Sequence, residues 1–98
     1  MITPNDVVVD GLPEVHLGTD PLCFKLIFDS AKHKNCHDID VHVVDGLGSH
    51  YKVDISRWGT KMRVSMVLDP SKMPEGIYRV MVSLGKTVFE ACRFWFVR

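Results

Sequence analysis

The chain has no excess of charge of either sign: twelve Lys plus Arg balance twelve Asp plus Glu. A general nucleic-acid binder carries a basic field, so nucleic acid is not an expected partner. A protein near neutrality also has little charge repulsion opposing self-association. No stretch approaches the ~18–20 consecutive apolar residues needed to cross a bilayer as a helix, so no membrane partner is expected. Cysteine is scarce, only Cys23, Cys36 and Cys92. An odd count at irregular spacing is not a disulfide framework. Three free thiols in a reducing compartment are expected. The opening Met1-Ile2-Thr3-Pro4-Asn5-Asp6 has neither a basic start nor an apolar run. No signal peptide is read there, which agrees with synthesis in the reducing cytoplasm. Gly-x-Ser-x-Gly, a Gly-rich phosphate loop and His-Glu-x-x-His are all missing, so neither catalysis nor a cofactor is expected.

What is present is a strand pattern. Hydrophobic residues make up 46% of 98 residues, enough for one domain spanning 1–98 with a core of its own. Leu22, Phe24, Leu26 and Phe28 alternate with Cys23, Lys25, Ile27 and Asp29, a period of two that marks a half-buried strand. The same alternation puts Ile39, Val41 and Val43 inward and Asp38, Asp40 and His42 outward. It groups Tyr51, Val53 and Ile55 in one strand over 50–56, and Met62, Val64, Met66 and Leu68 in another over 61–68. Near the start, Val7-Val8-Val9 is interrupted by Gly11-Leu12-Pro13 and resumes at Glu14-Val15-His16-Leu17, as an edge strand blunted by proline would. No helical period occurs.

The most informative stretch is Met73-Pro74-Glu75-Gly76-Ile77-Tyr78-Arg79-Val80-Met81-Val82-Ser83. Pro74 cannot donate to a ladder and Gly76 tolerates positive φ, so a corner precedes the strand. Tyr78, Val80, Val82 and Leu84 form its core face. A tyrosine there can bury its ring and bond its hydroxyl to backbone upstream, which resembles the tyrosine corner of immunoglobulin-like and fibronectin type III-like sandwiches. The expected fold is therefore all-β, an immunoglobulin-like antiparallel sandwich of about seven strands. The antibody-type inter-sheet disulfide is excluded, because the strand from Tyr78 to Leu84 has no cysteine. The resemblance implies a scaffold used for binding and assembly, including as a component of a larger particle such as a virion.

Two sets of residues are candidates for function. In the last strand, Phe89, Ala91, Arg93, Trp95 and Val97 alternate with Val88, Glu90, Cys92, Phe94 and Phe96. A sandwich covers one face of each sheet, so either Trp95 or the Phe94/Phe96 pair must face outward. Antiparallel succession also sends the 30–37, 57–60 and 85–86 connections to one end, gathering Lys32, Lys34, Arg57, Trp58 and Lys86. Asp20, Asp45, Asp69 and Glu75 gather at the other, with Lys72 as the main exception. The expected function is a non-enzymatic protein–protein interaction or assembly module. It meets a protein partner or itself through Lys32, Lys34, Arg57, Trp58, Lys86 and Trp95. The alternative is a small copper- or zinc-binding protein using His33, Cys36, His37 and His42, residue types that ligate soft metals but here complete no recognised spacing.

Overall fold

The computed structural model describes residues 4–18, 20–29, 38–51, 53–58 and 63–98. Among these, nine strands are formed: Val7–Asp10 (β1), Val15–Leu17 (β2), Leu22–Phe28 (β3), Ile39–Asp45 (β4), His50–Tyr51 (β5), Val53–Trp58 (β6), Arg63–Leu68 (β7), Gly76–Leu84 (β8) and Thr87–Val97 (β9). Short 3-10 turns at Pro4–Asp6 and Pro70–Lys72 precede β1 and β8. One sheet has the order β1-β3-β7-β6 and the other β2-β9-β8-β4-β5. Count β1 and β2 as one broken first strand and β5 as an extension of the hairpin. The orders are then first-second-fifth-fourth and seventh-sixth-third, the arrangement of the immunoglobulin fold.

The inner faces form the core. Leu22, Phe24, Leu26 and Phe28 of β3 and Val64, Met66 and Leu68 of β7 come from one sheet. Ile39, Val41 and Val43 of β4, Tyr78, Val80 and Val82 of β8 and Phe94 and Phe96 of β9 come from the other. Alternation predicted these residues, apart from leaving Phe94 and Phe96 open against Trp95, because a strand in a two-layer fold sees core on one side and water on the other. Tyr78 bonds its hydroxyl to the Pro74 carbonyl. Its ring stacks on Phe94 at 5.6 Å between centroids and meets Tyr51 edge-on at 5.3 Å. Gly76, at φ 151, takes a conformation that favours glycine and turns the chain into β8.

Four local expectations are corrected. The run expected as one strand over 50–56 is divided: β5 pairs with β4, while β6 pairs with β7 in the opposite sheet. Both halves bury every second residue, so alternation alone does not reveal a change of sheet. Arg57 and Trp58, expected in a turn, close β6 instead, with Trp58 opposite Arg63. β2 crosses from the sheet of β1 to pair with β9, and this pairing is parallel in an otherwise antiparallel fold. The crossing starts at Gly11, where φ is 84 and a Cβ would lie 3.4 Å from the Cys23 carbonyl oxygen. Finally, β9 carries a bulge. Val80 pairs with Cys92 but Met81 with Glu90, so Ala91 is an extra residue. An extra residue reverses the parity of what precedes it. Phe89 therefore turns inward opposite Val82, although simple alternation groups it with Trp95.

Candidate interaction surface

The bulge resolves which aromatics of β9 face out. Phe94 and Phe96 are buried, and Trp95 is on the outer face, 52% exposed. Antiparallel pairing sets Ile77 of β8 beside it, and parallel pairing sets Val15 of β2 on its other side. This row of three is held from the edge by two backbone bonds: Trp95 N–H to the Glu14 carbonyl and Gly18 N–H to the Val97 carbonyl, each 2.8 Å. Ile77 and Val15 are 39% and 47% exposed, so the row is contiguous apolar surface rather than one stray side chain. A cavity of about 430 Å³ lies beside it, lined in part by Leu47, Pro74, Ile77 and Trp95.

The expected basic end is only partly described. Lys32 and Lys34 lie outside the described residues, as do His33, Cys36 and His37. Lys86 is exposed in the two-residue connection between β8 and β9, where Leu84 pairs with Thr87. Arg57 is half-buried and engaged: Nε and Nη2 donate to the Ile39 carbonyl at 3.2 and 3.1 Å, and Nη2 meets Asp40 Oδ1 at 3.1 Å. It ties β6 to β4 across the two sheets, a use that charge counting did not anticipate. His42 stands on the outer face of β4 with its ring against His50. Among the described residues no group of three His, Cys, Asp or Glu side chains gathers as a metal site would require.

At the opposite end the carboxylates serve the loops. Asp45 accepts from the Tyr51 hydroxyl at 2.8 Å and from Leu47 and Ser49 N–H at 2.9 Å. The Tyr51 bond is the main reason Asp45 stays below the usual carboxylate range. The same bond pushes Tyr51 up to about 12. Asp69 caps the turn at Pro70–Lys72 by accepting from Ser71 N–H, which lowers its pKa. Glu75 accepts from the Arg98 N–H at 2.8 Å, and the Arg98 guanidinium donates to the Ser71 and Met73 carbonyls. A cation therefore sits within the end expected to be acidic. The strand reading stopped at Val97 and did not foresee it. Of the thiols, Cys23 is exposed and Cys92 half-buried, both free; burial pushes Cys92 up to about 11.

Sheet order, tyrosine corner and core together define an immunoglobulin-like β-sandwich. Comparison with known proteins agrees at the level of fold. No family model matches the chain, and no curated protein matches its sequence. Among solved structures, it is similar to the crystal structure of the Lin-41 filamin domain. That match covers 95% of this chain and 92% of that one, with a TM-score of 0.67 and 16% sequence identity.

Proposed function

We propose that residues 1–98 form a single, non-enzymatic interaction domain that joins a protein partner or a second copy of itself. The observation that carries the reading is the Val15–Trp95–Ile77 row, an exposed aromatic flanked by aliphatics on the open face of a rigid sheet. Aromatic side chains are enriched where proteins meet, and an anchor of this kind supplies much of an interface's energy. Lys86, with Lys32 and Lys34 as the sequence expects them, would steer an acidic partner more than tighten it, whereas Arg57 is committed to Ile39 and Asp40. The likeness to a filamin domain supports a scaffold role by fold alone. Attachment within a particle such as a virion is a narrower form of the proposal and rests only on fold resemblance.

The test is light scattering after size exclusion at low and high salt, with affinity capture of partners alongside. It compares the chain with its Trp95→Ala and Lys86→Glu variants. The expected result is an association lost with Trp95→Ala and made less salt-sensitive by Lys86→Glu, while thermal unfolding is little changed. An oligomeric state and a capture profile that both variants leave intact would refute it.

A further inference from the structure

We propose that the outer face of the five-stranded sheet binds an extended acidic protein segment, seating a carboxylate among Arg79, His42 and His50. This rests on the reading of the chain as an interaction module and adds the chemistry of its partner. Three neighbouring cross-strand rows make up the face. The middle one is His50–Val44–Arg79–Arg93, contributed by β5, β4, β8 and β9. On one side lies His42–Met81–Glu90, and on the other Ile77–Trp95–Val15.

The charges in these rows do not balance. Arg79 and Arg93 are directly opposite on antiparallel neighbours, a like-charge pairing that weakens a sheet unless something offsets it. Arg93 is answered by Glu90 at 2.7 Å, and Asp40 is already held by Arg57 at 3.1 Å. Arg79 has no hydrogen-bond or ion-pair partner among the described residues. The rings of His42 and His50 meet edge to face at 5.4 Å. Both histidines and Arg79 line one cavity of about 290 Å³, with Val44, Met81 and Val88 among its other walls and no carboxylate. Donors converging without an acceptor suit an oxyanion, and a guanidinium is the donor best matched to a carboxylate. A metal ion at the same place would have that guanidinium as its neighbour.

The occupant follows from the extent of the charge. One guanidinium and two imidazoles neutralise one or two anionic groups, whereas a nucleic acid would need a basic field that this neutral chain lacks. Along β8, Arg79 is two residues from Ile77, so the cation and the apolar row are roughly 7 Å apart. An extended segment with an acidic residue two positions from an aliphatic or aromatic one spans the same distance.

The charged groups facing the histidines are Asp40 on β4, Arg79 on β8, and Glu90 and Arg93 on β9. Both carboxylates are paired, so neither answers the donors of this cluster.

The test is an NMR titration with a synthetic peptide repeating glutamate and leucine two positions apart, against the same peptide with lysine for glutamate. The expected result is shifts at Arg79, His42, His50 and the Trp95 indole. Binding should be about tenfold weaker in Arg79→Gln. Lys25→Glu, on the other sheet, should leave it unchanged. Failure to bind at millimolar peptide, equal binding of the lysine peptide, or undiminished binding in Arg79→Gln would each overturn the site. So would shifts of both histidines with zinc chloride and none with peptide. Binding abolished by Lys86→Glu but not by Arg79→Gln would overturn this site and leave the module reading standing. The scattering and capture experiment fails separately if there is no partner at all.

Discussion

Replacing Tyr78 by Phe isolates the hydroxyl of the corner. The ring is 1% exposed and packed on Phe94, Phe96 and Tyr51. Phenylalanine keeps that packing, so no cavity term enters. What is lost is the hydroxyl bond to the Pro74 carbonyl. A hydrogen bond is worth roughly 0.5–1.5 kcal/mol net, with more at stake when the orphaned partner stays dry. Pro74 is exposed, so water can replace the hydroxyl at that carbonyl, which points to about 1 kcal/mol. For a domain of this size that lowers the melting temperature by roughly 4–8 °C. With a urea slope of about 1 kcal/mol/M it moves the unfolding midpoint by about 1 M. Equilibrium urea unfolding followed by circular dichroism measures it, with an unchanged slope as the check on two-state behaviour. A change below about 0.3 kcal/mol would refute the claim that the hydroxyl pins the corner. Tyr78→Ala should cost about 3–5 kcal/mol, because the ring goes as well.

Four further outcomes are expected. Deleting Ala91 removes the extra residue and leaves Phe89 on the same face as Phe94 and Phe96 by simple alternation, so the variant is expected to fold with a regular β9 and all three rings still inward; a variant that fails to fold would mean the parity argument is wrong. Asp45 and Asp69 have lowered pKa values, so the stability they contribute is present above the ordinary carboxylate value of 3.8 and lost as pH falls through their folded values; Asp45→Asn should flatten the acid limb of a stability–pH profile. On the alkaline side, Tyr51 is raised to about 12, so its contribution is present below 10 and lost as pH rises through 12, a fall that Tyr51→Phe should remove. Cys92, raised to about 11 by burial, should react with a thiol reagent at pH 8 far more slowly than exposed Cys23; equal rates would show that β9 opens readily.

The candidate interaction surface was legible only in part. Trp95 stood out because aromatics occupy both parities near the end of β9, which a sheet covered on one face does not require. Ile77 and Arg79 were already placed on the outer face of β8 by alternation. Nothing local said which strand would lie beside them. Val15 reaches Trp95 only because β2 leaves its first sheet at Gly11, and His50 reaches the row of Arg79 only because the chain changes sheets after Tyr51. Arg57 looked like an exposed turn cation and is a tie between sheets, since its carbonyl and carboxylate partners are eighteen and seventeen residues away.

By itself, then, the sequence determined the inward face of most strands, β9 excepted, and that the fold is an immunoglobulin-like sandwich. Burial on one face of a strand is written in the order of neighbouring residues, and a corner such as Pro74-Glu75-Gly76 is a local conformational preference. The tertiary structure alone decided the outer surface: which strands adjoin, where β9 gains its extra residue, and which cations are answered by carboxylates. Those depend on pairing between distant segments. A one-residue change of register there moves a side chain from core to solvent without altering the composition of either strand.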